Sequence, residues 1–249
     1  MTALLVPLIL AVAGAVMGAI VGSFIATLVL RWPHGEQASR GRSRCDQCGV
    51  AIRPIDLIPI LSRFRLDGRC RDCGARIDPL HSRIELVAAA IGGTALVIAP
   101  NVSGAMLALF GWLLLPSCWL DWRHFWLPDR LTLILAVVGL GAGHWLGAPL
   151  VDRLIGGAVG WGSLAAIGSV YRRLRHRDGL GRGDPKLNGA IGLWLGWIPL
   201  TPILALAAAL GLAIALRRGL SKTDPVPFGP MIGAASWIAA AALLAARAG

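Results

Sequence analysis

Long apolar runs are the feature that most constrains how this chain can fold. Eight mostly apolar stretches occur along its 249 residues, at 3–30, 84–99, 104–120, 131–149, 154–171, 187–200, 201–216 and 230–246. Runs of about 17 to 25 apolar residues are the length of a membrane-spanning helix. A mean hydropathy of +0.68 with only 15% charged residues excludes an ordinary soluble domain. We therefore predict an all-α polytopic membrane protein with about eight transmembrane helices.

Basic residues are distributed asymmetrically around these spans. Of the 24 Lys and Arg residues, 22 fall in four loops that eight spans would place on one side of the membrane. These loops are 31–83, 122–130, 172–186 and 217–229. Lys and Arg concentrate on the cytoplasmic side of membrane proteins, so both termini are expected to point outward. The net charge of +11 is thus interpreted as a topology signal and not as a nucleic-acid footprint. The predicted topology anchors after the fifth span are Arg172, Arg173, Arg175 and Arg177.

The polar loop between the first two spans contains two cysteine pairs, Cys45-x-x-Cys48 and Cys70-x-x-Cys73. Two such pairs, each followed by glycine, match the spacing of a four-thiolate zinc site. Four cysteines leave no open coordination position, so the ion is expected to be structural. Disulfides are the alternative, which a cytoplasmic location disfavours. Cys118 lies alone in an apolar span and is interpreted as a small buried hydrophobic residue.

Two aspartates stand at the mouths of spans, where charges are costly and therefore informative. Asp121 ends the third span, and Asp184 opens the sixth within the segment Gly181-Arg-Gly-Asp-Pro-Lys-Leu187. Two carboxylates at the same depth can share a proton and divide the roles of acid and base, as in an aspartic protease. The alternative is that both are helix caps facing water, which is also how Asp129 after Pro128 is interpreted.

The order of these motifs resembles that of the type IV prepilin peptidases, bacterial inner-membrane enzymes that combine leader peptidase and N-methyltransferase activities. The resemblance covers nearly the whole chain. The matching segments are Gly22-Ser-Phe24, Arg31-Trp-Pro33, Arg42-Ser-Arg-Cys45, Ile58-Pro-Ile-Leu-Ser62, Gly68-Arg-Cys70, Glu85, Asp121 with Leu127-Pro-Asp129, Gly181 to Leu187, and Pro227-Phe-Gly-Pro230.

The resemblance implies a role for each part of the chain. It makes Asp121 and Asp184 the catalytic pair, and Gly181, Gly183 and Lys186 are expected to contact the substrate. It implies three parts: a first transmembrane helix at 1–31, a small cytoplasmic zinc-binding loop domain at 32–83, and a transmembrane aspartic peptidase domain at 84–249.

The expected substrates are prepilins or pseudopilins with a basic cytoplasmic leader, cut at the cytoplasmic face of the inner membrane. The expected cofactors are structural zinc, held by the four loop cysteines, and S-adenosylmethionine as methyl donor. Membrane lipid is the other expected partner.

Two departures from the family pattern bear on these expectations. Ala26 stands where the family usually has Asn, which puts the methyl-transfer activity in question, and Pro185 replaces the commoner aromatic residue.

Two other functional classes stay open from the residues. A zinc-loop membrane scaffold would have no use for paired aspartates, and a proton-coupled transporter would place its carboxylates near the membrane midplane.

Overall fold

The computed structural model describes residues 2–38, 42–176, 179–221 and 224–248, and the chain divides into two compact units, Met1–Val97 and Ile98–Gly249. Arg177, one of the predicted topology anchors, lies outside the described residues. Unit 1 contains α1 (Thr2–Arg31), α2 (Leu61–Arg65) and all but the last residue of α3 (Leu80–Ile98). Unit 2 contains α4 (Val102–His124), α5 (Asp129–Ala142), α6 (Leu150–Arg175), α7 (Asp184–Leu195), α8 (Leu200–Arg217) and α9 (Gly229–Ala248).

Helices occupy all eight segments that the sequence predicts as spans, and the described residues form no β-strand, so the all-α membrane fold is confirmed. Six of these helices, among the residues described, are long and apolar enough to cross a bilayer. The other two are shorter than predicted. Helix α5 has 14 residues and continues as a 3-10 turn at Gly143–Leu146, and α7 has 12. A 12-residue helix rises only about 18 Å, against a hydrocarbon core of about 30 Å.

The division of the chain differs from the predicted domain boundary at residue 84. The structure groups α3 with α1 and the polar loop in unit 1. As a functional division, the predicted peptidase domain at 84–249 stays a prediction.

Small residues let α1 and α3 pack closely within unit 1. Gly14, Gly18 and Gly22 recur every fourth residue along α1 and face the backbone of α3. A Cβ atom on Gly14 would lie 2.6 Å from the carbonyl oxygen of Gly92, and one on Gly22 would lie 2.8 Å from Cα of Glu85. Because apolar burial drives little association inside a bilayer, close backbone contact of this kind is what holds such helices together.

In unit 2, α7 is enclosed by its neighbours and almost every residue of it is buried. Gly160 of α6 accepts a hydrogen bond from the Asn188 side chain, with N···O at 2.9 Å. On another face of α7, the indole N–H of Trp194 donates to the carbonyl oxygen of Leu135 in α5 at 2.8 Å. Helix α7 is therefore positioned by directional polar bonds as well as by packing.

The two basic residues that fall outside the predicted cytoplasmic loops, Arg153 and Arg247, share one structural role. Arg153 Nη1 donates to the carbonyl oxygens of Gly139 and Leu140 at 2.9 and 3.2 Å, and Arg247 Nη1 donates to that of Leu146 at 2.6 Å. These acceptors belong to the end of α5 and to the 3-10 turn that extends it. Both arginines therefore satisfy carbonyls at the negative end of one helix dipole.

Candidate active site and metal centre

Asp121 lies in the last turn of α4 and is 6% exposed. The turn ends at Phe125, which adopts a left-handed conformation and donates its backbone N–H to the carbonyl oxygen of Asp121 at 2.9 Å. The backbone N–H of Gly229, at the start of α9, donates to Asp121 Oδ2 at 2.9 Å. The carboxylate is thus held between the end of one helix and the start of another.

Asp184 is the first residue of α7 and is 3% exposed. Gly181 and Asp184 bond to each other twice. The Gly181 N–H donates to Asp184 Oδ2 at 2.9 Å, and the Asp184 N–H donates to the Gly181 carbonyl oxygen at 3.2 Å. Pro185 follows in the first turn, where the missing N–H costs no helical hydrogen bond. Its place in the sequence, after the second aspartate, is therefore compatible with the helix.

The structure brings the two predicted aspartates into one site. The Asp121 carboxylate is near enough to act electrostatically on Asp184. Each aspartate accepts one backbone N–H from a glycine, and both are buried. Two such carboxylates cannot both ionise easily, so a pair of this kind can share one proton and offer a base and an acid in the same place. A pair of solvent-facing helix caps would not be buried in this way.

The three residues predicted to contact substrate have partners within unit 2. Gly181 bonds Asp184 as described. Gly183 packs against Leu127, and a Cβ atom added to it would lie 2.5 Å from Leu127 Cβ. Lys186 Nζ forms a 2.6 Å ion pair with Asp129 Oδ1, and both side chains are exposed. Their contact with a substrate stays a prediction. Asp129 lies in the first turn of α5, as expected for a helix-start residue.

The four loop cysteines of unit 1 converge on one point. Their Sγ atoms all lie within 4.8 Å of one another, and the Sγ atoms of Cys45 and Cys73 are 3.8 Å apart. Zinc bonded tetrahedrally to four sulfurs at about 2.3 Å requires sulfur-to-sulfur distances of about 3.8 Å. The structure has these four cysteines as free thiols, and their spacing fits a metal ion. The cluster could therefore hold a metal ion.

The two halves of the cluster have the same local geometry. Cys45 donates its N–H to the carbonyl oxygen of Val50 and accepts one from Gly49, and Cys70 makes the corresponding bonds with Ala75 and Gly74. Gly49 and Gly74 share a φ of +70°, which explains why each pair is followed by glycine. Backbone hydrogen bonds from Cys48 and Gln47 lower the pKa of the Cys45 thiol to about 7.

Sequence reasoning did not foresee the role of Gly229. The segment Pro227-Phe-Gly-Pro230 matches a family motif. Its sequence does not indicate that the backbone N–H of Gly229 donates a hydrogen bond to Asp121, which lies 108 residues earlier. A Cβ atom on Gly229 would lie 2.8 Å from Asp121 Oδ2, so the absence of a side chain is what permits the contact. The signal available in the sequence was the combination of Gly and Pro at a helix start.

Comparison with known proteins identifies related families for both units. The Bacterial Peptidase A24 N-terminal domain matches residues 16–99, and the Type IV leader peptidase family matches residues 108–216. Proteins named prepilin leader peptidase/N-methyltransferase are similar along most of the chain. The one from Dichelobacter nodosus is 36% identical over 201 residues, covering 79% of this chain and 69% of that protein. No solved structure shows significant similarity to the chain.

Two further relatives of the same name show how far the similarity extends. The protein from Burkholderia pseudomallei (strain K96243) is 38% identical over 200 residues, covering 78% of this chain and 64% of the relative. That from Pseudomonas aeruginosa is 37% identical over 207 residues, covering 79% and 70%. The chain thus spans about two thirds of the length of these relatives.

Proposed function

The chain belongs to the type IV leader peptidase family, and from that premise we propose that it is a membrane aspartic endopeptidase with Asp121 and Asp184 as its catalytic pair. The observation that carries this proposal is the convergence of two buried carboxylates from the end of α4 and the start of α7. The family assignment supports prepilins or pseudopilins as substrates. Neither a zinc-loop scaffold nor a transporter explains why two glycine N–H groups hold this pair.

The proposed reaction needs no covalent enzyme intermediate. The ionised member of the pair takes a proton from a water molecule as the water oxygen attacks the scissile carbonyl. The protonated member donates a hydrogen bond to that carbonyl oxygen and stabilises the negative charge that develops on it. Collapse of the tetrahedral intermediate breaks the C–N bond, and the leaving amine takes a proton from the pair. The N–H bonds from Gly181 and Gly229 keep the two carboxylates in position during these transfers.

We place the site at the cytoplasmic face of the inner membrane. The ends of α4 and α9 that meet at Asp121 adjoin the loops 122–130 and 217–229, both of which the charge distribution assigns to the cytoplasm. A basic leader in the cytosol then reaches the aspartates while the apolar part of the substrate stays in lipid. Membrane lipid is accordingly the surrounding partner of the chain.

Two cofactors complete the proposal. Zinc would be held by Cys45, Cys48, Cys70 and Cys73 and would stabilise a loop that has little apolar core of its own. S-adenosylmethionine, when bound, supplies a methyl group to the uncharged new N-terminus, which loses one proton as S-adenosylhomocysteine is released. Ala26 is fully buried in α1, so any effect of the missing Asn would be exerted inside unit 1.

The test is incubation of the detergent-purified full chain with a prepilin and S-adenosylmethionine, scored by mass spectrometry. We expect one product that has lost its leader and a second that is about 14 Da heavier. The mass change separates the two activities. Leader loss without the added methyl would retain the peptidase and exclude the transferase, and an intact prepilin would overturn the peptidase assignment.

A further inference from the structure

Unit 1 contains a cavity of about 360 Å³ that the peptidase reaction does not use. Its wall includes Ser23 and Thr27 of α1, Arg63 of α2 and Glu85 of α3. Its volume falls in the range of about 300 to 1,000 Å³ typical of sites for small ligands. The cavity therefore has room for a compact organic molecule.

One wall presents a buried carboxylate held by a strained turn. Glu85 is 7% exposed, and its Oε2 accepts the backbone N–H of Ile60 at 2.8 Å. Ile60 has φ +65° and ψ −52°, and Leu61 donates its N–H to the carbonyl oxygen of Pro59 at 2.6 Å. This is the rare γ-turn of positive φ, which is unfavourable and more so for a β-branched residue. Strain of this kind concentrates at ligand-binding sites.

The same cavity wall contains a half-buried arginine, Arg63, with an unused buried donor. Arg63 Nη1 is inaccessible to solvent and has no hydrogen-bond partner among the described residues. The Arg63 guanidinium interacts electrostatically with the Glu85 carboxylate. Gly68 lies beside the guanidinium, and a Cβ atom on it would stand 3.5 Å from Arg63 Cζ. A buried charged donor without an acceptor is costly, so an acceptor from a ligand would relieve it.

We propose that this cavity binds S-adenosylmethionine by its amino-acid end, with Arg63 receiving the α-carboxylate and Glu85 the α-ammonium group. A simple anion would be attracted by Arg63 and repelled by Glu85. A simple cation would be attracted by Glu85 and repelled by Arg63. An α-amino acid carries both charges on one carbon atom and so offers a partner of opposite charge to each of these two wall residues. The assignment rests on the proposed function, in which methyl transfer requires this donor.

The experiment is isothermal titration of S-adenosylhomocysteine, the unreactive product, into the detergent-purified full chain. We expect the wild-type chain to bind it and Arg63→Met and Glu85→Gln to weaken binding by at least about tenfold, as for loss of a charge-assisted hydrogen bond. Arg63→Lys should retain part of the affinity. The matched controls are Arg65→Met and Glu36→Gln, which change exposed residues outside the cavity wall and should bind as the wild type does. Thermal unfolding of each variant checks that it is folded.

The outcomes separate the cavity from the proposed function. Binding by the wild type that neither Arg63→Met nor Glu85→Gln weakens would overturn the cavity assignment and leave methyl transfer standing. If the wild type does not bind S-adenosylhomocysteine and cleaves prepilin without methylating it, both the cavity assignment and the proposed methyl transfer are overturned. Inorganic phosphate is titrated in parallel. If it binds through Arg63 and displaces S-adenosylhomocysteine at equal concentration, the cavity recognises anions only and the proposal fails.

Discussion

The four-cysteine cluster of unit 1 and the aspartate pair of unit 2 are assembled from the chain in different ways. Each half of the cluster is a short turn closed by its own backbone, as in the bonds between Cys45 and Val50 and between Cys70 and Ala75. The aspartate pair needs three helix ends, and one of its hydrogen bonds joins residues 108 positions apart. The geometry of the cluster therefore depends mainly on local backbone turns, whereas the pair depends on how unit 2 packs.

The largest expected effect comes from the aspartates themselves. Asp121→Asn or Asp184→Asn removes an ionisable group that the pair needs to divide acid and base roles, so prepilin cleavage should fall by more than about 1,000-fold. Metal content should be unchanged, since the cysteines lie in unit 1. Cleavage is measured by mass spectrometry and metal by elemental analysis of the same preparation. Cleavage within tenfold of the wild type by either variant would refute the catalytic assignment.

This contrast explains what the sequence could predict. The cysteine spacing encodes a turn whose geometry is nearly complete within six residues, so the cluster was predictable from Cys45 and Cys70 with their partners. The apolar runs predicted the eight longer helices of the described residues, because length and composition suffice for that, but not the five-residue α2 in the polar loop. They did not predict that α7 would be 12 residues long, which depends on the break at Gly196 with φ +81°.

The other contacts that position the site and hold unit 2 together were not predictable because they are tertiary. Neither the bond from Gly229 to Asp121 nor the capping of α5 by Arg153 and Arg247 has a local signature. Arg153 and Arg247 were visible only as exceptions to the charge asymmetry. The pairing of Asp121 with Asp184 was one of two interpretations until the order of motifs favoured it.

Substitution of the cluster cysteines should remove the metal, whereas substitution of the aspartates should leave the metal content unchanged. We expect about one zinc per chain in the wild type, as for a four-cysteine structural site. Changing Cys45 and Cys70 together to Ser removes one ligand from each half and should abolish metal binding. Cys118→Ser is the control and should leave metal content unchanged, since Cys118 lies in α4 of unit 2. Zinc retained by the double variant would show that the metal is bound elsewhere.

A smaller effect is expected where a glycine lets a backbone N–H reach a carboxylate. In Gly229→Ala the new Cβ atom would stand 2.8 Å from Asp121 Oδ2, so the carboxylate must move. A displacement of this order should lower cleavage by roughly 10- to 100-fold. Gly141→Ala is the matched control, because Gly141 is an exposed helix residue with nothing within 4 Å of the added atom. Equal activity of the two variants would contradict the positioning role of Gly229.

The smallest effect should come from the ion pair between Lys186 and Asp129. These two residues are close in sequence to Asp184 and Asp121, but their side chains are exposed. Exposed pairs stabilise a fold by about 0 to 1 kcal/mol, so Lys186→Met and Asp129→Asn should each change cleavage by less than about fivefold. If Lys186 acts through Asp129 alone, the double variant will behave as the single ones do. If Lys186 also contacts the substrate, Lys186→Met will raise KM while Asp129→Asn leaves it unchanged. Steady-state kinetics on the three variants distinguishes the two roles, and a loss approaching that of Asp121→Asn in Asp129→Asn would move Asp129 into the catalytic site.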